Sequence, residues 1–146
     1  AVNGVATFAN VDFTSIGSCT LTATDSTRAL TTATSSPATT VSPGAASKVV
    51  FTTEPPTTAT AGTDLTTFAV SIEDAYGDVE TTVNFDRITL TTTSVGCTLG
   101  GTDHVTTRNG VATFSAVTIT AGTSCTLTAT DSSETLATAT STSVTL

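Results

Sequence analysis

Methionine, tryptophan and glutamine are missing from this sequence, and lysine, histidine and tyrosine occur once each. Each gap removes a class of function. Without tryptophan, and with Tyr76 as the only tyrosine, there is no aromatic platform on which a sugar ring could be held for hydrolysis by a carboxylate pair. Lys and Arg total 4 against 12 Asp and Glu, for a net charge of -8 and a pI near 4.1. That balance argues against nucleic acid and anionic membrane surfaces, which need cations to neutralise phosphate. No apolar run approaches the length of a membrane span, and no leader pattern is present. Strong helix formers are scarce, so no amphipathic helix of useful length can be drawn.

What remains is threonine, 41 residues of it. A β-branched side chain suits a pleated, half-wet surface, so this is strand composition. The residues also repeat. Asn3-Gly4-Val5-Ala6-Thr7-Phe8 leads to Cys19-Thr20-Leu21-Thr22-Ala23-Thr24-Asp25-Ser26. The same letters return from Asn109 and from Cys125. Residues 3–35 and 109–141 agree at 22 of 33 positions at an offset of 106 without a gap. A period of that kind marks a module used more than once.

Residues 44–146 read as one complete module, with seven strand signals lettered A to G. Residues 48–53 form strand A, stopped by Pro55-Pro56. Phe68, Val70 and Ile72 alternate with polar neighbours in strand B, and Glu73-Asp74-Ala75-Tyr76-Gly77-Asp78 reads as a turn. Ile88 and Leu90 mark strand C; Gly96-Cys97-Thr98-Leu99-Gly100-Gly101 is a short strand D. Asn109-Gly110 is a turn signal before strand E. Its inward parity changes between Phe114 and Val117, which predicts a bulge or bend near Ser115-Ala116. Cys125, Leu127 and Ala129 share one face of strand F, and residues 137–146 form strand G.

Seven short strands with turns every 8 to 12 residues predict an all-β, immunoglobulin-like β-sandwich. Residues 1–43 correspond to strands E, F and G only, the back half of a preceding domain. Two or three strands without a facing sheet are marginal, so a completing partner is expected. It could be adjacent repeat sequence in a longer tandem array, strands of a neighbouring copy exchanged between chains, or a sheet edge to which the remnant adds. Each chain carries two E-F-G sets and one A-to-D set, which weighs against pure exchange.

Val70-Ser71-Ile72-Glu73-Asp74-Ala75-Tyr76-Gly77-Asp78, Gly100-Gly101, the hexapeptide from Asn109 and Thr126-Leu127-Thr128-Ala129 together resemble the bacterial Ig-like repeats of invasin and intimin type. The resemblance covers residues 47–146 and, through the repeat, 3–40. It rests on turn and core residues, and Asp78 stands where those repeats commonly carry Asn. It implies domains stacked as extracellular stalks or fibres on a cell surface.

Cys97 and Cys125 flank strands in opposite sheets of such a sandwich. Either they form a cross-sheet disulfide contributing roughly 3 kcal/mol, permitted by export, or they are buried thiols. In the same register Cys19 has its partner outside residues 1–43, either in preceding sequence or as Cys97 of another chain. Zinc spacings are missing. The acidic turn offers Asp74, Asp78 and Glu80 as weak calcium candidates, with Glu73, Asp86 and Asp103 in support, although Asp and Gly in a connecting turn need no metal.

His104 lies in a loop without a nucleophile elbow or an acid partner, so no catalytic residue, cofactor or enzymatic activity is expected. Lys48 has no Asn or Asp on strand G with which to form an isopeptide bond, and the missing glutamine removes thioester and ester crosslinks. Outward threonines such as Thr126, Thr128 and Thr130 offer hydroxyls for O-glycosylation or simply follow strand propensity. Two functions of different class remain: a structural module of an extracellular stalk, filament or sheath, and an adhesin-type binding module that recognises a receptor or glycan through its loop end. The loops lack the Tyr, Trp and Arg set enriched at binding hot spots, which favours the structural one.

Overall fold

A computed structural model describes residues 1–146, which are all-β and divide into two compact units, Ala1–Pro43 and Gly44–Leu146. The first unit holds β1 (Gly17–Cys19), β2 (Thr22–Ala23), β3 (Ala33–Thr34) and β4 (Thr39–Val41). These pair antiparallel as β1 with β4 and β2 with β3.

The second unit is a β-sandwich. Its front half supplies β5 (Lys48–Thr53), β6 (Phe68–Glu73), β7 (Arg87–Thr91), β8 (Thr98–Gly101) and β9 (His104–Thr106). Its back half supplies β10 (Val111–Phe114), β11 (Val117–Ala121), β12 (Ser124–Cys125), β13 (Thr128–Asp131), β14 (Ala139–Thr140) and β15 (Val144–Thr145). The sheets run β10-β6-β5 and β14-β13-β7-β9, with the pairs β11-β8 and β12-β15 beside them.

Alternation decides which residues enter the core. Phe68, Val70 and Ile72 of β6, Ile88 and Leu90 of β7, Ala112 and Phe114 of β10, and Val117 and Ile119 of β11 are all buried. Cys125 of β12, Ala129 of β13 and Leu127 between them join the core, and Val144 closes the stack. The ring of Phe68 lies between Phe114, stacked at 5.3 Å, and Phe51, tilted at 6.2 Å. Aromatic pairs in that range add attraction beyond their burial.

The parity change in strand E has a structural counterpart. The chain leaves β10 at Phe114 and resumes as β11 at Val117, moving its pairing from β6 to β8. Gly101 makes this possible: it sits at φ 75, and a Cβ there would run into the Ala116 carbonyl oxygen. Only a residue without a side chain lets β8 approach that closely.

His104 is a correction to the sequence reading. It belongs to β9, which pairs with β7 through Arg87↔Thr106, Ile88↔Val105 and Thr89↔His104. The strand is three residues long and mostly exposed, so it offered no run of alternating apolar residues from which to be read.

Candidate functional site

The two copies of the repeated segment share three pieces of local structure: the Asn-Gly turn, the Leu–Ser backbone pairing and the Asp cap. Asn3 and Gly4 take φ 51 and 79, and Asn109 and Gly110 take 50 and 76. Both turns close with a pair of backbone hydrogen bonds. Val2 N–H donates to the Val5 carbonyl at 2.8 Å and Val5 N–H returns at 3.0 Å, matched by 2.8 and 3.1 Å between Arg108 and Val111. Ser35 N–H donates to the Leu21 carbonyl while its Oγ accepts from Leu21 N–H, at 2.8 and 2.9 Å. Ser141 and Leu127 do the same at the same distances. The Asp25 carboxylate caps the amide of Thr27 as Asp131 caps Ser133, both at 2.7 Å.

They differ wherever a partner strand is required. Residues 5–8 form no strand, whereas β10, with the same letters, pairs along β6. The consequence is an open apolar face. Phe8 is 74 % exposed against 0 % for Phe114, Val11 49 % against 1 % for Val117, and Leu21 45 % against 0 % for Leu127. Phe8, Val11, Leu21, Ala23 and Ala33 line a groove of about 480 Å³ on this unit. Sequence reasoning expected an uncovered half-domain but did not name this groove. Its lining could have been found by carrying each core position of the complete copy back by 106.

Cys97 and Cys125 form a disulfide with Cα atoms 5.9 Å apart, joining the turn before β8 to β12. A disulfide of this kind belongs to an oxidising compartment. Gly122, at φ 123, packs against it, with a Cβ there falling 2.6 Å from either sulfur. Cys19 is a half-buried free thiol whose Sγ faces the Ser15 carbonyl at 3.8 Å. Cys125 Sγ faces Ala121 in the same way, at the same distance.

The calcium candidates do not converge, and no group of three His, Cys, Asp or Glu side chains is placed to hold a metal. Asp74 is buried and already committed. Its Oδ2 accepts from Gly44 N–H at 2.8 Å, and its Oδ1 accepts from Tyr76 and Asp78 N–H at 2.9 and 3.0 Å. The Gly44 and Asp78 amides, against the opposing effect of burial, hold its pKa below the ordinary carboxylate value, helped by Tyr76 and Gly77. Amides pointing at both oxygens make this an anchored turn rather than a cation cradle. Glu80 is buried nearby in sequence, with Oε1 unpartnered and Oε2 3.5 Å from the Thr82 hydroxyl.

Asp86 is shifted the other way, raised by burial and by the charge of Asp131. His104 Nδ1 lies 2.7 Å from Asp103 Oδ1 on the exposed side of β9, and that hydrogen bond lowers the Asp103 pKa. Lys48, which has no Asn or Asp partner on strand G, lies 3.7 Å from Glu73 Oε2. Two aromatic side chains, Tyr76 and Phe85, stand exposed on loops of the second unit.

No family model matches the chain, and no curated protein matches it. Among solved structures it is similar to a glycosyl hydrolase family 2 member from Bacteroides cellulosilyticus DSM 14838. The TM-score is 0.52 at 15 % identity, covering 88 % of this chain and 18 % of that one. The likeness is one of fold. This chain spans less than a fifth of that protein.

Proposed function

We propose that the chain is a structural module of an extracellular stalk, filament or sheath, built from stacked or strand-complemented Ig-like domains in the manner of the invasin and intimin repeats it resembles. The observation that carries this reading is the contrast between copies. One set of apolar letters is a finished core in Gly44–Leu146 and an open groove in Ala1–Pro43. An exposed contiguous apolar face marks an interaction surface, and here its natural complement is another part of the same repeat. The Cys97–Cys125 disulfide supports an oxidising, extracellular setting, and Cys19 takes its partner from the completing segment.

Solution scattering and electron microscopy of an oxidised chain that carries residues 44–106 a second time before Ala1, across a range of concentrations, test the proposal. Elongated assemblies with a regular axial repeat are the expected result. A compact monomer at every concentration refutes it.

A further inference from the structure

We infer that the groove of Ala1–Pro43 seats the front half of another copy of the repeat, the counterpart of residues 44–106, delivered in cis by polypeptide leading into residue 1. We infer also that seating it shifts β4 by one residue along β1. The inference rests on the structural reading above and gives its interface a register, a source and a conformational signature.

The complete copy supplies the register. In it Val111↔Ser71, Ala112↔Val70, Thr113↔Ala69 and Phe114↔Phe68 face one another. Carried back by 106, Val5, Ala6, Thr7 and Phe8 face the incoming counterparts of Ser71, Val70, Ala69 and Phe68. The partner is therefore a strand reading Phe-x-Val-x-Ile, with its aromatic ring over Phe8 as Phe68 lies over Phe114. Main-chain pairing provides affinity and the alternate pockets provide selectivity, as in other strand additions.

Source follows from entry geometry and occupancy. The turn at residues 2–5 matches that at residues 108–111 in φ and in both hydrogen bonds. Chain entering at Val2 is thus set as chain enters Arg108 after β9. The front half within an intact second molecule is already covered by its own residues 109–146 and tied to them by Cys97–Cys125. A front half joined in cis has no such competitor and a high effective concentration.

The signature lies in β4. In the complete copy Cys125 faces Val144 and Ser124 faces Thr145. At the same offset Cys19 should face Ala38, yet Cys19 faces Thr39 and Ser18 faces Thr40. The ladder of β2 and β3, by contrast, keeps the register of β13 and β14. What holds β15 in place comes from the front half. Ala59 N–H donates to the Thr145 carbonyl and Thr145 N–H to Thr57, both at 2.9 Å, and Glu54 Oε2 accepts from Thr142 N–H at 2.9 Å. A one-residue slip reverses which face each side chain occupies. Seating the missing half moves Ala38 opposite Cys19 and turns it inward, as Val144 is.

A disulfide from Cys19 to the counterpart of Cys97 then closes by thiol–disulfide exchange. The two thiols give up two protons and two electrons to a small-molecule disulfide, which leaves as two thiols. One residue conditions this step. Ile16 occupies the position of Gly122, where a Cβ would lie 2.6 Å from each sulfur, so residues 15–17 must reshape. Gly17, at φ 117, supplies the freedom one residue nearer the cysteine.

The test is a chain in which residues 44–106 are duplicated directly before Ala1, leaving all 146 native residues in place, oxidised with a glutathione buffer. Amide exchange of residues 5–8 is expected to slow by about 100-fold or more relative to the native chain. Cross-strand NMR contacts from Cys19 should move from Thr39 to Ala38, and peptide mapping without reduction should join Cys19 to the added cysteine.

Unchanged exchange and a Thr39 contact overturn the docking. Protection with Cys19 still free overturns the bond. Cys19 linked to Cys97 of a second molecule overturns the source in cis. The Cys19→Ser variant keeps the protection if the apolar face drives seating, and loses it if that is wrong. Because the first sandwich can close within a single molecule, protection in a chain that stays monomeric by scattering refutes stacking while leaving this inference standing.

Discussion

Changing Phe114 to alanine and, in a separate chain, Phe8 to alanine alters the same letter of the same hexapeptide in two different environments. Phe114 is fully buried and stacked on Phe68 at 5.3 Å. Removing a ring from such a site costs about 3–5 kcal/mol, cavity included, of which the aromatic contact is about 0.5–1.5 kcal/mol. With a urea dependence of about 2 kcal/mol per molar, the midpoint of Gly44–Leu146 should fall by about 2 M. Phe8 is 74 % exposed, so its removal should change stability by no more than about 0.5 kcal/mol. Urea unfolding at low micromolar chain, followed by far-UV circular dichroism and by the methyl resonances of the core, measures both. A loss above about 1 kcal/mol for F8A would refute the open face, because an exposed ring has too few contacts to lose that much. A loss below about 1 kcal/mol for F114A would refute the packing of the core.

Three further outcomes follow from the second unit. Replacing Cys97 and Cys125 together by serine should lower its stability by about 3.6 kcal/mol on the chain-entropy estimate for a separation of 28 residues, measured as a shift in thermal or urea midpoint. Gly101→Ala should be far more damaging than Gly62→Ala. Both sit at positive φ, but a Cβ at 101 meets the Ala116 carbonyl whereas one at 62 meets nothing, so losses of about 2–4 and about 1 kcal/mol are expected by urea titration. Asp74 and Asp86 should leave opposite marks on the pH profile. Asp74 has its folded pKa below the ordinary value, so its contribution is present above pH 3.8 and is lost as pH falls through the folded value. Asp74→Asn should flatten that acid limb. Asp86 is raised, so its burial is best tolerated when protonated, and stability declines as pH climbs from 3.8 through its folded value. Asp86→Asn should remove that decline in melting curves taken across the range.

Much of the second unit was legible because its signals are local. Alternation placed Phe68, Val70 and Ile72 inward, and β6 buries all three. The Asp74 turn was readable because Asp can bond its own downstream amides and Gly77 can adopt φ 95. The change of parity after Phe114 announced the switch from β6 to β8. β9 was missed because three residues, of which only Val105 turns toward the core, carry no period. Spacing alone could not say whether the calcium candidates converge, because it says nothing about which way a carboxylate points. Asp74 turns both oxygens onto amides, an arrangement that only the fold around Gly44 creates.

The limit of sequence reading is clearest where the letters do not differ at all. Asn-Gly-Val-Ala-Thr-Phe makes the same turn twice, since that turn is closed by its own residues, yet it makes a strand only at residues 111–114. Strand formation in this hexapeptide therefore belongs to the pairing with β6 and not to the propensity of Val, Thr and Phe. The β1–β4 ladder makes the same point more quantitatively. Its neighbouring hairpin keeps the register of the complete copy, while β4, lacking the contacts that hold β15, lies one residue away. A register that one missing partner can move by a residue is only weakly set by its own chain. It follows that the shared letters do not fix their own environment: they describe an open groove in residues 1–43 and a closed core where they lie beside β5 and β6.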